Sequence, residues 1–281
     1  MALIINTNVA SLIAQQNLSA SSSLLNISIQ RLSSGLRINT AADDAAGLAR
    51  ADQLRSQSRM VGVAMRNAND GISAMEISDK TAEQVTNVLT RMSELAASAA
   101  QGTLDTTTRD YYKDEYDKLI SEIDRIAATT EFGGIKLLNG SVSSITMFIG
   151  FKSTADNQLS ISLVRLDVAD SGGATSGLVL SSGILANVTG ALSAIAQLST
   201  ALKVVNDARA VYGASSNRLS ITLANLMVTS TNFMAAESRV RDADFALETA
   251  LFTRNQIMVQ AGTSILAQAN TLPQNALTLL R

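Results

Sequence analysis

Histidine, cysteine and tryptophan are absent from all 281 residues, and proline occurs once, at Pro273. Without histidine, the commonest general base and the commonest metal ligand are both missing. Without cysteine there are no disulfides and no thiolate chemistry. With no tryptophan, 4% aromatics and no Lys/Arg run, a nucleic-acid-binding surface is not expected. The start, MALIINTNVASL, lacks the basic and continuous apolar segments of a secretory signal peptide. No uninterrupted run approaches the roughly 18 apolar residues of a membrane span, so no membrane partner is expected. Charged residues are also scarce, at 16% against about 25% in typical soluble proteins, and the net charge is −2. Ser, Thr, Asn and Gln stand in their place, giving neutral polar surfaces that bury against copies of themselves without stranding charge. No enzyme, cofactor or metal is indicated.

What is present is a heptad rhythm. Ile184, Ala191, Leu198, Val205, Tyr212, Leu219, Leu226, Phe233 and Val240 are spaced by seven and all apolar. Val188, Ile195, Leu202 and Leu223 widen the stripe, while Arg209, Ser216 and Ser230 interrupt it. Spacing that averages 3.5 residues over such a length predicts helices wrapped around other helices. The fold class is therefore mainly α: an elongated antiparallel bundle of N- and C-terminal helices, with a small β-hairpin region in the middle.

Along the sequence, a first helix is predicted over 8–31, carrying Leu18, Leu25, Ile29, Leu32 and Leu36. Residues 33–49 break the rhythm with Gly35, Asn39, Thr40 and the Asp43–Asp44 pair, which is turn and cap chemistry. A long helix follows over 54–100, with Val61, Ala68, Met75, Ala82, Leu89 and Ala96 as its heptad line. The next covers 109–129, with Thr107 and Asp110 as cap candidates and Tyr112, Tyr116, Leu119, Ile123 and Ile126 as one stripe. Gly133–Gly134 and Asn139–Gly140 are turn signals. Strands are expected at 145–151 and 159–166, then a Gly/Ser/Ala/Asp-rich surface loop over 167–183. After the helix from Ile184 and a polar stretch at 237–244, a last helix runs over 246–280 on Leu251, Met258, Ile265, Leu272 and Leu279, widened by Phe252, Val259 and Leu266. Pro273 is expected to bend or end it.

INTNVASLIAQQNL (5–18), RLSSGLRINTAADDAAGLA (31–49) and RNANDGISAMEI (66–77) resemble the N-terminal segments of bacterial flagellins. TEFGGIKLLNG (130–140), ESRVRDADFALETA (237–250) and QAGTSILAQANTLPQNALTLL (260–280) resemble later segments of the same family, in the same order. The resemblance implies a short-type filament subunit that polymerises for motility, lying outside the cell and exported without a cleaved signal peptide. It implies an inner-tube domain from 1–34 with 246–281, spokes at 35–53 and 236–245, and an outer-tube domain over 54–235 that includes the β region 130–183. Inner-tube packing would fall to Leu18, Leu25, Ile29, Leu32, Leu251, Met258, Ile265, Leu266, Leu272 and Leu279. The spoke would use Arg37, Asp43, Asp44, Glu237, Arg241 and Asp242, with Glu237 and Arg241 placed to pair at i, i+4.

The implied partners are further copies of the protein in an open helical filament, the flagellar export apparatus and its export chaperone, and the filament cap and hook-associated proteins. A host Toll-like receptor is a further one. Arg91, Glu94, Leu95 and Glu115 match the receptor-recognised flagellin segments, whereas Thr90 and Ser93 depart from their usual Gln and Arg. Two alternatives stand beside this reading. A hook–filament junction protein resembles flagellin at both ends, but that family usually has proline where Ala45 follows Asp44. A secreted coiled-coil binding module would share the heptads without needing both ends in one interface.

Overall fold

The computed structural model describes residues 8–169 and 177–278, with side chains for 8–168 and 177–271. Five helices dominate: α1 (Val9–Ser34), α2 (Ala45–Ala99), α3 (Thr106–Thr129), α4 (Val188–Arg241) and α5 (Phe245–Thr278). Three small strand pairs lie between α3 and α4. The protein divides into two compact units, one of residues 1–58 with 231–281 and one of residues 59–230.

Caps set the helix ends. Asn8 Oδ1 accepts the Ser11 N–H at 3.1 Å to start α1, and Gly35 ends it in the left-handed region at φ 72. Asp44 Oδ1 accepts the Gly47 N–H at 2.8 Å, so α2 begins at Ala45, nine residues before the predicted start. The acidic pair reads as connector from its sequence context; the second aspartate is in fact the N-cap. Asp105, not Thr107, caps α3, accepting the Thr108 N–H at 3.2 Å. The break before α5 is also shorter than expected, because Glu237, Arg239 and Arg241 remain helical and only residues 242–244 separate α4 from α5. Asp244 Oδ1 then accepts the Ala246 and Leu247 N–H groups. The helix α5 runs through Pro273 to Thr278, so the proline does not end it.

The core of the second unit is a heptad structure. Val61, Ala68, Met75, Ala82, Leu89 and Ala96 are all buried on α2, as are Ala191, Leu198, Val205, Tyr212, Leu219 and Leu226 on α4. The rhythm of α4 is longer than its burial, since Ile184, Phe233 and Val240 at its two ends are only partly covered. Asp79 meets Arg209 at 2.9 Å and Gly71 lies against Leu219, so α2 and α4 run antiparallel. Arg209, which interrupts the stripe, therefore sits at its edge in an ion pair. Tyr116, Ile120, Ile123, Ile126 and Ala127 of α3 join the same core. An 18-residue window of α4 averages a hydropathy of 1.4, enough by length and composition to cross a membrane, although no uninterrupted run announces it. One stripe of α4 belongs to this core, and 28% of that window is buried within the subunit.

The β region departs from expectation in detail. Strands β1 (Glu131–Phe132) and β2 (Ile135–Lys136) form a hairpin whose two-residue turn, Gly133–Gly134, takes φ values of 57 and 82. Two consecutive positive φ angles are what a type I′ turn demands, and glycine adopts them without a Cβ clash. Strands β3 (Ser144–Phe148) and β4 (Gln158–Ser162) pair antiparallel, each shorter than predicted. β5 (Val168–Ala169) and β6 (Leu178–Val179) form a short parallel pair. The stretch expected to be a surface loop thus contains Leu178 and Leu180 as core residues. They are isolated apolar positions without periodicity, which is why sequence pattern missed them.

Candidate assembly interface

In the first unit, α1 and α5 pack antiparallel. Asn8 Nδ2 donates to the Ala269 carbonyl at 2.8 Å at one end, and Arg31 meets Glu248 at 3.7 Å at the other. The pair is close where residues are small: a Cβ added to Gly262 would lie 3.1 Å from Leu18 Cδ1. Leu18, Leu25, Leu32, Leu251 and Leu266 are partly buried in this seam. Ile29, Met258 and Ile265 are instead 47%, 50% and 56% exposed. Leu12, Ile13, Leu24, Phe245, Leu247 and Ile257 are exposed with them. The side chain of Leu272 and all of Leu279 lie outside the described residues.

Two helices cannot bury stripes this wide, because each presents adjacent apolar lines and the partner covers only one. The uncovered lines border a groove of about 430 Å³ lined by Ala14, Leu18, Leu24, Met258, Gly262 and Ile265. A neighbouring groove of about 290 Å³ ends on Arg31, Glu248 and Arg254. Glu248 is nearly fully buried, and the Arg31 Nε has no hydrogen-bond partner. This ion pair joins residues 217 apart in sequence, and no local pattern announces it.

The segments joining these helices to the rest of the unit are tied by backbone. Leu36 and Asp242 form an antiparallel bridge, the Arg37 N–H donates to the Arg241 carbonyl at 2.6 Å, and the Ala243 N–H donates to the Gly35 carbonyl at 3.0 Å. Arg37 also reaches the Val240 carbonyl through Nη2 at 2.7 Å. Arg241 does not pair with Glu237 as its spacing suggested; its guanidinium faces Asp52 at 3.6 Å and the Ile38 carbonyl at 3.4 Å. The connector before α2 offers Arg241 the Ile38 carbonyl and α2 itself the Asp52 carboxylate, two acceptors at once where Glu237 would give one weak i, i+4 pair. Asp52 was therefore missed by sequence reasoning. Asp43 closes its own loop. Its carboxylate accepts the Asn39 N–H, the Thr40 N–H and the Thr40 hydroxyl. Hydrogen bonding from Thr40, foremost its backbone N–H, holds the Asp43 carboxyl below the usual aspartate range.

Arg91, Glu94 and Glu115 do come together. Arg91 donates to Glu115 Oε1 through Nε at 3.1 Å and Nη2 at 2.9 Å, and to Glu94 through Nη1 at 3.2 Å. All three are exposed, whereas Leu95 beside them is buried and serves the core.

What the first unit displays is an apolar surface in need of cover. Family models described as "Bacterial flagellin N-terminal helical region" and "Bacterial flagellin C-terminal helical region" match residues 5–143 and 195–280. The flagellin of Halalkalibacterium halodurans is 38% identical over 279 residues, covering 99% of this protein and all of that one. The flagellar filament 33 kDa core protein of Treponema phagedenis is 37% identical, at 99% and 100% coverage. Among solved structures, Bacillus cereus flagellin is 30% identical and aligns with 61% of this protein and 94% of its own length, at a TM-score of 0.47.

Proposed function

The chain belongs to the bacterial flagellin family, and on that premise we propose how its parts divide the work of assembly. It is a structural subunit that polymerises into the extracellular flagellar filament for motility, and it is not an enzyme. No feature favours a hook–filament junction protein or a free-standing binding module. Residues 1–34 with 246–281 build the inner tube, 35–53 with 236–245 the spoke, and 54–235 the outer tube.

The observation that carries this reading is the half-exposed line of Ile29, Met258 and Ile265 beside the α1–α5 seam. Fully burying one such side chain stabilises by about 1.5–3 kcal/mol, so covering the exposed half of three contributes roughly 3 kcal/mol per subunit before association costs. A contact between unlike faces that does not close on itself repeats into a helical filament. The test is Ile265→Asp, which leaves the α2–α3–α4 core untouched. The variant is expected to keep its unfolding transition yet form no filaments by electron microscopy or sedimentation. Wild-type polymerisation by the variant would refute the assignment.

The remaining partners follow from the same premise. The subunit leaves the cell through the flagellar export apparatus with an export chaperone. It meets hook-associated proteins at one end of the filament and the cap at the other. The Arg91–Glu94–Glu115 cluster is offered to a host Toll-like receptor by the monomer, because its charges are already fixed by one another and exposed. A receptor reporter assay silent at saturating monomer would remove that partner.

A further inference from the structure

The sequence contains one Asn-Gly pair, Asn139–Gly140. Leu137 and Leu138 just before it are buried, and the Leu138 carbonyl accepts the Leu166 N–H at 2.8 Å, so the turn leaves a fixed support. Gly140 is exposed, with φ at 75, and no acceptor is paired with its N–H among the described residues. Asn139 Oδ1 accepts the Ser141 N–H at 3.0 Å.

We propose that this turn is a self-modifying site, in which Asn139 deamidates in the folded protein with the Ser141 N–H as its oxyanion donor. The nucleophile is the Gly140 amide nitrogen, which no side chain shields at its own residue. The electrophile is Asn139 Cγ, whose oxygen already holds the donor that will stabilise developing negative charge. The Gly140 nitrogen bonds to Cγ and loses its proton to solvent base. The bond between Cγ and Nδ2 then breaks and ammonia leaves, taking up a proton, to give a five-membered imide. Water adds to one imide carbonyl and opens the ring. Opening one way leaves aspartate at 139; opening the other leaves isoaspartate, with the backbone routed through Cβ. The balance is one water consumed and one ammonia released, with no change of oxidation state.

The product places a negative charge next to a glycine that a cationic side chain overlies. The Arg165 side chain lies over this turn, where a Cβ on Gly140 would sit 2.6 Å from its Cδ and 3.3 Å from its Nε. Arg165 is paired with Asp167, so the new carboxylate would compete for a guanidinium that also anchors the segment entering β5. The site would thus register the age of a subunit as charge.

The test is peptide mapping of the full-length protein aged at mildly alkaline pH in oxygen-18 water, both folded and in urea. Trypsin releases the site in the peptide from residue 137 to 152. Labelled aspartate and isoaspartate are expected at 139 in the folded protein, at a rate within about tenfold of the unfolded protein. Asn157, whose side-chain amide donates to the Lys152 carbonyl and the Thr154 hydroxyl, serves as the internal control and is expected to stay intact. Asn139→Gln should abolish labelling at 139 without altering the far-UV spectrum. A folded rate more than about tenfold below the unfolded one, or labelling at 139 no faster than at Asn157, would overturn the proposal.

Discussion

Two buried tyrosines allow the energetics of the α2–α3–α4 core to be tested with a single missing oxygen atom. Tyr212 on α4 donates its hydroxyl to the Val164 carbonyl at 3.2 Å and accepts the Val164 N–H at 3.1 Å. Tyr116 on α3 is equally buried, but its hydroxyl has no hydrogen-bond partner. Replacing Tyr212 by phenylalanine strands a donor and an acceptor on Val164, at about 1–3 kcal/mol for each group water does not reach. Val164 is only half-buried, so roughly 2–4 kcal/mol in total is expected. Tyr116→Phe removes an unpaired buried hydroxyl, and should be neutral or stabilise by about 1 kcal/mol. Urea unfolding of the monomer, followed by circular dichroism, measures both as shifts in midpoint at constant slope. Equal destabilisation by the two variants would refute the reasoning, because it would mean the Tyr116 hydroxyl is satisfied.

The same pair carries a pH signature. Burial, reinforced by Asp117, pushes the Tyr116 hydroxyl up to about 12 from an ordinary value of 10. Burial also raises Tyr212, partly offset by its bond to Val164. A group whose folded pKa is raised contributes stability that is intact below its unfolded pKa and lost as pH rises through the folded one. Stability should therefore fall between about pH 10 and 12, by roughly 2–3 kcal/mol from Tyr116 alone, and Tyr116→Phe should flatten that fall.

Three further outcomes follow from the first unit. Gly262→Leu should push α1 from α5 through Leu18 and prevent filament growth, while the core of residues 59–230 keeps its urea midpoint; Gly262→Ala, needing only a few tenths of an ångström from a flexible leucine, should still polymerise. Glu248→Ala should leave the partly buried Arg31 without its carboxylate and cost about 1–3 kcal/mol in α1–α5 pairing, read as faster amide exchange in both helices, whereas removing both charges together should restore most of it. The lowered pKa of Asp43 means its loop contribution is present above the ordinary aspartate pKa and lost as pH falls through the lowered one; Asp43→Asn should remove that acid-side loosening, seen in the amide resonances of Asn39 and Thr40.

Both the family and most of the core could be read in the sequence. The heptad lines of α2 and α4 named their buried residues, because a period near 3.5 keeps one face of a helix toward its neighbours whatever those neighbours are. Gly133–Gly134 specified its hairpin because few residues adopt two positive φ angles in succession. Cap positions were legible as chemistry but not as assignments: Asp43 and Asp44 look alike in sequence, yet one closes a loop on Asn39 and Thr40 while the other starts α2. Tertiary structure alone decided the long-range partners. Arg241 found Asp52 instead of Glu237, and Arg31 found Glu248, because those encounters depend on where remote segments pass and not on spacing along one helix. It also divided apolar residues of one stripe into a covered seam, such as Leu18 and Leu266, and an open face, such as Ile29 and Ile265. A hydrophobic period says which side of a helix avoids water; only the arrangement of the other helices determines how much of that side is covered within one molecule, and how much is left for a neighbour.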